Sequence, residues 1–583
     1  MPLSNEYVDP EHIQTKSIII IHPGSLYLKI GRASDLNPHT VLHAIARRRK
    51  RGGLVYKDTF ITPAVNKSNK DVLQEMEETR LNVSHTLQSC LQSDGRRRYA
   101  TPPQQIAAFN RRSQPEQTEE HIQQIWVKPE SDVDIIVGND ILQLDPALDF
   151  NIHFPIKRGE LNIHKDIGGS LTSVLNDLET IWLYCIQSYL NIPSNQLNNY
   201  KVVLIVPDIY NRIYLKEYMN LLLNRMGFSS CFLVQDHVAA TFGAGLGYAC
   251  VIDVGDQKTS VSCVEDGISH RNTRVRMEYG GADITQTFYW LLQKCAFPYK
   301  ECSEDSNKLD AMLLRKLKED FCHVNLDICG AQEKSFLVNN KKYTLQVGDE
   351  CIVAPLSLFT PELFGITGKK YIYTQKSNLA GDPEDPHDGN YLRETSRRAI
   401  KENESANMFN EFNNTMLFKD DNNDSTTIKQ EVGADEDIVV DAIIDNTLNT
   451  IPYHVQDGKE FTILNPEQVI GLDQAVLQSI ERCPNEDLKR KMYACILVVG
   501  GGMKFIGIGT WLQNRISLQI PYIYRSEQMD IITQPKDMDP SWTTWKGAAI
   551  MSCLESANEL WIYQNEWNNN GVKILRERAP FMW

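Results

Sequence analysis

Two segments of the sequence, 18–31 and 250–264, share an arrangement that suits phosphate chemistry. They read IIIIHPGSLYLKIG and CVIDVGDQKTSVSCV, and each consists of an apolar strand, a short turn with a glycine, and a second strand of alternating apolar and polar residues. The two turns begin at His22 and Asp253, 231 residues apart. Such a duplicated hairpin predicts two related α/β domains that face one another.

The turn residues are the candidates for binding a polyphosphate. Glycine lets the chain approach a ligand closely, and successive backbone N–H groups in a turn can bind an anion. Gly24 and Ser25 would do this in the first hairpin, and Gly255 and Asp256 in the second. The carboxylate of Asp253, at the end of a strand, could hold a hydrated Mg²⁺ ion. Glycine turns between strands are common, so the pair of hairpins is a better signal than either one.

A third glycine cluster, Gly500, Gly501 and Gly502, follows the apolar run at 496–499. Two explanations are equally open: a flat ligand lies against the bare backbone, or the cluster is a flexible junction between a strand and a helix. The run GAGLG at 243–247 is not a dinucleotide fingerprint, because it precedes a strand and has the wrong spacing, and the sequence contains no P-loop motif.

Other chemistries find little support in the sequence. Ser170, Asp208 and His237 do not predict a hydrolase triad, because no nucleophile-elbow motif is present. The histidines show no metal-ligand spacing, and the 13 cysteines are scattered without a C-x-x-C pair. That cysteine pattern argues against a disulfide framework and a zinc ribbon, and it favours a reducing compartment.

Strands and helices alternate around these candidate residues. Residues 201–206 (KVVLIV) and 231–234 read as buried strands, and residues 215–226 read as a helix that ends at Gly227. Apolar residues recur at helical spacing from 171 to 185. This alternation predicts an α/β protein with parallel or mixed sheets.

Length and composition limit the class of protein. A chain of 583 residues with 42% hydrophobic and 23% charged residues predicts three or four domain-sized units with a large core. The net charge of −15 argues against nucleic-acid binding through a uniformly basic surface. No signal peptide or membrane-spanning run is apparent, so we expect a soluble protein of the cytosol or nucleus.

Two regions differ in composition from the rest. Residues 375–450 hold 17 Asp and Glu against 7 Lys and Arg, with few regularly spaced apolar residues, and we expect a mostly disordered insertion there. A plain linker and a partner-binding acidic loop are equally open.

Residues 34–135 read as a second, irregular region with basic clusters at 47–51, 96–98 and 111–112. The run 47–51 predicts a DNA contact or a nuclear-import signal, with a solvated surface run as the alternative. Its members are Arg47, Arg48, Arg49, Lys50 and Arg51.

Several motifs together resemble the actin superfamily. The motifs are FPIKRG at 154–159, DVGD at 253–256, YGGADIT at 279–285, RKLKE at 315–319, GGGMKF at 500–505, WKGAAI at 545–550 and WIYQNEW at 561–567. The resemblance covers nearly the whole chain outside the two irregular regions. It implies an actin-like fold, in which two facing RNase H-like α/β domains enclose a nucleotide cleft.

The resemblance also implies the domain boundaries. The first actin-like domain would comprise 1–32, 150–245 and 545–583, and the second 246–372 and 464–544. An enlarged, irregular subdomain would occupy 33–149 and the acidic insertion 373–463.

ATP, with Mg²⁺ held by Asp253 through water, is the cofactor that the resemblance implies. The residues expected to bind it are Gly24, Ser25, Leu26, Lys29, Asp253, Val254, Gly255, Asp256, Gly281, Lys318, Glu319, Gly500, Gly501, Gly502 and Phe505.

Three departures from the family pattern predict slow turnover. His22 and Pro23 replace the Asp-Asn pair that opens the first phosphate loop in actin. The glutamine that positions the attacking water falls near Gln235, and ungapped counting places Asp236 there; the family's histidine falls on Ser260. Because water positioning and proton transfer each contribute orders of magnitude in rate, nucleotide binding can persist while hydrolysis is slow or absent.

Details of these motifs resemble the nuclear actin-related proteins of INO-eighty-type chromatin-remodelling complexes. That resemblance implies a nuclear scaffold with roles in transcription regulation and DNA repair. The implied partners are actin, another nuclear actin-related protein, a long helix of the motor subunit, histones and linker DNA. The alternatives are an active ATPase or phosphotransferase on the same fold and a cytoskeletal actin relative.

Overall fold

A computed structural model of the chain describes residues 15–61, 70–118, 126, 129, 133–305, 307–366, 372–374, 470–525 and 528–579. The predicted acidic insertion at 373–463 lies outside these residues, apart from the end of the strand Ile372–Thr374. Among the described helices, none has the length and apolar character needed to cross a membrane. All 13 cysteines are free thiols, as their scattered spacing predicts.

Two sheets form the framework, and both place parallel strands beside an antiparallel hairpin. The first is six-stranded, in the spatial order Ile562–Tyr563, Ser230–Gln235, Lys201–Val206, Ile18–Pro23, Tyr27–Arg32, His39–Leu42. The second is seven-stranded, in the order Ile372–Thr374, Val275–Met277, Thr259–Glu265, Tyr248–Val254, Cys495–Val499, Asp530–Ile532, with Ile268–Ser269 paired to Thr259–Glu265.

The two predicted hairpins occupy equivalent places in these sheets. Ile18–Pro23 pairs antiparallel with Tyr27–Arg32 and parallel with Lys201–Val206. Tyr248–Val254 pairs antiparallel with Thr259–Glu265 and parallel with Cys495–Val499. The duplicated hairpins and the α/β fold are therefore confirmed.

Helices cover and connect the sheets. Their bounds are Lys70–Ser89, Pro103–Arg112, Asp140–Gln143, Leu171–Leu190, Arg212–Asn220, Asp236–Ala244, Gly281–Lys294, Lys308–Phe321, Glu350–Leu356, Leu472–Glu481, Glu486–Ala494, Ile508–Gln519, Thr543–Ser552, Gln564–Asn570 and Ile574–Arg578. The helix predicted over 171–185 and the strands predicted at 201–206 and 231–234 are all present. The helix predicted at 215–226 is Arg212–Asn220 followed by one π-turn, Leu221–Arg225.

One hydrophobic core joins the two sheets. Helices Asp236–Ala244 and Thr543–Ser552 pack between them, with side chains such as Val203 and Phe232 from the first sheet and Val251 from the second. Their contact is unusually close, because a methyl group on Gly547 would overlap the carbonyl oxygen of Ala239.

The prediction of an irregular region at 34–135 is wrong for much of that stretch. It contains helices Lys70–Ser89 and Pro103–Arg112 as well as strands. His39–Leu42 extends the first sheet beyond the boundary predicted at residue 32. Weak helical periodicity hid the long helix, which buries only three side chains, Val72, Met76 and Leu87.

The region 70–118 packs on residues assigned to the second domain. Asn110, which is buried, donates to the carbonyls of Cys295 and Gln346 and accepts from the Gln346 amide at 2.7 Å. Arg98, also buried, lies 2.9 Å from Asp349. Part of the stretch predicted as an insertion in the first domain is therefore anchored to the second.

Smaller sheets complete the framework. Gln332–Val338, Lys341–Val347 and Glu116–Gln117 form one, and Ile135–Val137, Ile45–Arg48 and Phe150–His153 form another. The short hairpin of Ile156–Lys157 and Glu160–Leu161 stands at the edge of the cleft between the two main sheets.

Candidate nucleotide site

A cavity of about 480 Å³ lies between the two hairpins. Both turns, the glycine cluster and the helix Lys308–Phe321 contribute to its wall. The predicted binding residues that line it are Gly24, Ser25, Leu26, Lys29, Asp253, Gly255, Asp256, Lys318, Glu319, Gly500, Gly501, Gly502 and Phe505. Val254 and Gly281 are not among the lining residues, and both support the wall from behind through their backbones.

The first turn is held from below by a buried histidine. The Gly24 amide donates to the Tyr27 carbonyl at 3.0 Å, which closes the turn. His43 donates from Nδ1 to the Gly24 carbonyl at 2.7 Å, and its Nε2 accepts from the Trp182 indole at 3.4 Å. Burial lowers the pKa of His43 to about 4, although the Gly24 contact opposes this shift. The imidazole is therefore neutral at physiological pH, as the two contacts require.

Lys29 reaches the cavity from the second strand of this hairpin. It stands opposite His22 in the antiparallel pairing, and both residues line the cavity. Burial lowers the pKa of Lys29, while the nearby Asp253 carboxylate opposes the shift. Burial and the neighbouring lysines Lys29 and Lys258 keep the pKa of His22 well below its ordinary value. A partly buried ammonium beside a neutral imidazole favours an anionic ligand.

The second turn rests on the start of helix Gly281–Lys294. The Gly255 carbonyl accepts from the Gly281 amide at 3.0 Å, and the Asp256 carbonyl accepts from Ala282 at 2.7 Å. Asp283 caps the same helix end by accepting from the Gly280 amide at 2.8 Å. Gly281 therefore fixes the phosphate loop instead of lining the cavity.

The glycine cluster lies directly against the second turn. The Gly502 amide donates to the Val254 carbonyl at 2.8 Å, and Gly500 has a φ of 91°. A methyl group on Gly500 or Gly502 would overlap the backbone of Val254 or Gly255. Close packing of one loop on the other therefore fixes these two glycines, which counts against a flexible junction, and contact of a flat ligand with the cluster stays a prediction.

On the far wall, charged residues of helix Lys308–Phe321 are tied to the second turn. Arg315 forms an ion pair with Asp256 and donates to the Phe60 carbonyl at 2.6 Å. Lys318 donates to the Gly281 carbonyl at 3.1 Å, and burial together with Arg315 lowers its pKa. Asp256 is thus occupied by a protein cation, which leaves its backbone as the part of the residue available to an anion.

Arg158 bridges the cleft, and sequence reasoning missed it. Its guanidinium lies 2.6 Å from Asp283 and donates to the carbonyls of Gln257 and Glu278. The residue adopts a left-handed φ of 51°, which is uncommon for a side chain of this size. Its position inside the FPIKRG motif was the sequence feature that could have pointed to it.

Comparison with known proteins identifies the family. The actin family profile matches residues 13–580, nearly the whole chain. The chain belongs to the actin family.

Relatives of this actin-family protein include several named actin-related protein 8. The chain is 58% identical to that of Aedes aegypti over the full length of both, and 42% identical to that of Bos taurus over 98% of this chain and 93% of the relative. A solved structure, described as human actin-related protein Arp8 in its ATP-bound state, superposes with a TM-score of 0.80 at 37% identity and covers 99% of each chain. The predicted family and fold are confirmed.

The departures from the actin pattern have structural consequences. Asp236 lines the cavity at the start of helix Asp236–Ala244, as the ungapped count predicts, whereas the Gln235 side chain donates to the Asp208 carbonyl away from it. Lys258, which sequence reasoning missed, places its ammonium 2.6 Å from Asp236 and 3.6 Å from Asp253. A buried aspartate carries a charge that a glutamine does not, so it is expected to have a nearby cation. That expectation was the sequence feature that pointed to Lys258.

Asp253 does not fit the hydrated Mg²⁺ that the resemblance implied. Ligand atoms of Asp236, His237 and Asp253 lie within 4.8 Å of one another, close enough for a metal. The Lys258 ammonium already lies between the two carboxylates, however, and its charge repels a second cation there. His237 uses both ring nitrogens on serine hydroxyls, at 2.7 and 2.9 Å.

Ser260 belongs to a buried polar network. Its hydroxyl lies 2.9 Å from His237 Nε2, and His237 Nδ1 lies 3.8 Å from Asp208. All three side chains are enclosed and none of them lines the cavity. The arrangement has the composition of a serine–histidine–aspartate triad, but it links helix Asp236–Ala244 to strand Thr259–Glu265 and lies outside the cavity lining.

Intramolecular carboxylates neutralise much of the basic run 47–51. Arg47 lies 2.6 Å from Asp177, Arg48 lies 3.6 Å from Asp134, and Arg49 pairs with Asp149. Lys50 and Arg51 are exposed. The three partly buried arginines are therefore balanced by carboxylates of the same chain, while Lys50 and Arg51 stay open to the predicted DNA contact.

Proposed function

We propose that the protein is a nuclear actin-related subunit that binds ATP as a structural ligand and hydrolyses it slowly or not at all. The observation that carries this proposal is the cavity lined by both duplicated turns, in which Asp236 and Lys258 face each other where actin has its water-positioning glutamine. The relative described as ATP-bound, at 37% identity and a TM-score of 0.80, supports ATP as the ligand.

Slow turnover follows from the same residues. The Asp236 carboxylate binds the Lys258 ammonium at 2.6 Å through Oδ2 and accepts from the His237 amide at 2.9 Å through Oδ1, and it has no N–H group to donate to a water as a glutamine has. His22 offers no carboxylate to the cavity where actin has an aspartate, and Ser260, which is not among the lining residues, offers no imidazole where the family has a histidine. Positioning and proton transfer are together worth many orders of magnitude in phosphoryl transfer.

We further propose that the protein acts as a scaffold in an INO-eighty-type remodelling complex. Its partners would be actin, another nuclear actin-related protein, the long helix of the motor subunit, histones and linker DNA. Similarity to proteins named actin-related protein 8 over the whole chain supports this assignment. Affinity purification from nuclear extract should recover that set, and a cytoskeletal set would contradict it.

Nucleotide content and single-turnover hydrolysis test the first part. We expect purified protein to bind ATP with a turnover far below about 1 s⁻¹, the low end of ordinary enzyme rates. Lys29→Ala should weaken binding at least tenfold, because a phosphate loses a charge-assisted contact worth roughly 1.5–3 kcal/mol. Lys157→Ala is the matched control, since Lys157 is exposed and lies outside the cavity wall. Turnover near 1 s⁻¹ or faster would favour the alternative of an active ATPase or phosphotransferase.

A further inference from the structure

Two carboxylates and one ammonium form a compact cluster at the phosphate end of the cavity. Asp236 and Asp253 reach it from different elements, a helix start and a strand end. Lys258 Nζ lies 2.6 Å from Asp236 Oδ2 and 3.6 Å from Asp253 Oδ2. All three side chains are largely enclosed, with exposed fractions of 4%, 13% and 14% for Asp236, Asp253 and Lys258.

The position of the Lys258 side chain is determined by its surroundings. Its carbonyl accepts from the Gly255 amide at 2.8 Å, which fixes its backbone inside the second turn. Its aliphatic stem passes Gly159 so closely that a methyl group there would lie 3.0 Å from Lys258 Cδ. Because Gly159 belongs to the short hairpin across the cleft, both sides of the cleft hold the ammonium in place.

Lys258 brings a positive charge to the point where the two carboxylates converge, because its ammonium forms an ion pair with Asp236 and lies 3.6 Å from Asp253. A divalent cation at the same point would lie within a few ångströms of that charge, and the protein interior would screen their repulsion poorly.

We propose that the Lys258 ammonium replaces the divalent cation of this site, so that the protein binds a nucleoside triphosphate with nearly the same affinity with and without divalent metal. This inference rests on the proposed nucleotide binding. Lys29 and Lys504 line the same cavity and add to the positive charge that a metal-free polyphosphate needs. His22 stands where actin has a carboxylate, so the cavity has one negative charge fewer for a metal to balance.

ATP titrations by calorimetry, in EDTA and in millimolar Mg²⁺, test the proposal on the intact chain. We expect the two dissociation constants of the wild type to agree within about threefold, a small difference on the free-energy scale. Lys258→Gln removes the ammonium and frees both carboxylates. This variant should bind ATP at least about tenfold more tightly with Mg²⁺ than in EDTA, a newly acquired metal dependence.

Lys504→Gln is the matched control, because it removes one positive charge from the same cavity but not from between the carboxylates. Lys504 pairs with Asp539 at 2.7 Å. We expect this variant to lose affinity equally in both buffers.

The outcomes separate the inference from the proposed function. If wild-type affinity falls about tenfold or more in EDTA, the inference is wrong while nucleotide binding stands. If ATP binds in neither buffer, the proposed function fails as well. If Lys258→Gln does not fold, the comparison of wild-type affinities in the two buffers decides alone. Electron paramagnetic resonance of Mn²⁺ gives a second readout. Mn²⁺ that is immobilised by the wild-type protein with ATP would overturn the inference.

Discussion

At the residue scale, the first phosphate turn depends on a histidine that never reaches the cavity. His43 is fully buried, and its Nδ1–H holds the Gly24 carbonyl while its Nε2 accepts from Trp182. Both contacts need the neutral ring. Protonation would place a second hydrogen on Nε2, facing the indole N–H, inside a closed core.

This arrangement predicts acid-sensitive stability. The folded pKa of His43 is about 4, against an ordinary 6.5 for an exposed histidine. Well above pH 6.5 the ring is neutral in both states, and as the pH falls through 6.5 the unfolded state takes up the proton first. Stability should therefore fall as the pH drops from 6.5 towards 4, by about 2 kcal/mol between roughly pH 7 and pH 5.

Chemical denaturation at the two pH values measures this loss. His43→Gln should be less stable at neutral pH but should show a smaller loss on acidification than the wild type. His85→Gln, at an exposed position of helix Lys70–Ser89, is the control and should keep the wild-type pH response. An unchanged response in His43→Gln would contradict the assigned role.

At the element scale, the two helices between the sheets are in backbone contact. Gly243 and Gly547 face each other across helices Asp236–Ala244 and Thr543–Ser552, and a methyl group on either would overlap backbone atoms of the other helix. Rigid backbone cannot move aside as a flexible side chain can. The same helix pair carries Asp236 at its cavity end, so helix spacing and site geometry are connected.

Gly547→Ala should therefore destabilise the protein, although alanine is the better helix former. Its gain in helix propensity is about 1 kcal/mol, while overpacking of a core typically costs about 1–3 kcal/mol and rises when backbone is the obstacle. We expect a lower melting temperature and weaker ATP binding. Gly247→Ala is the control, because nothing lies within 4 Å of the added methyl group. Equal melting temperatures for the two variants would refute the prediction.

At the scale of the whole molecule, charge decides where an anionic partner could bind. The protein carries a net charge of −15, so DNA meets general repulsion and needs a local basic surface. In the run 47–51, only Lys50 and Arg51 are exposed, and Arg47 lies against the buried Asp177. Burial raises the pKa of Asp177, and Arg47 offsets only part of that cost.

Two variants separate a role at the surface from one in internal structure. Replacing Lys50 and Arg51 by Ser should reduce the salt dependence of DNA affinity, by about 0.9 in the log–log slope for each DNA phosphate that the protein no longer neutralises, without changing the melting temperature. Arg47→Ser should lower the melting temperature, because it leaves a buried carboxylate unpaired. If the double variant keeps both its salt slope and its entry into the nucleus, the run is a solvated surface feature.

Local pattern in the sequence was sufficient to predict the paired hairpins, the alternation of strands and helices, and the glycine-containing turns of the cavity wall. Strand alternation, glycine turns and helical periodicity depend on neighbouring residues, so they can be read without the fold. Asp253, Gly255 and the glycines at 500–502 were found in this way. The departures at His22, Asp236 and Ser260 were likewise visible, because counting along a motif needs no tertiary structure.

Only the tertiary structure decided which charges meet. Lys258 finds Asp236 from a preceding helix and Gly159 from across the cleft, and Arg47 finds Asp177 at a distance of 130 residues in sequence. The anchoring of the region 70–118 to the second domain is of the same kind. A buried charge pairs with an opposite charge that the fold places within a few ångströms. Which residues come that close depends on the folded chain as a whole. The chemistry of the cavity, a resident ammonium between two carboxylates, therefore became visible only when the strand, the helix and the facing hairpin were assembled.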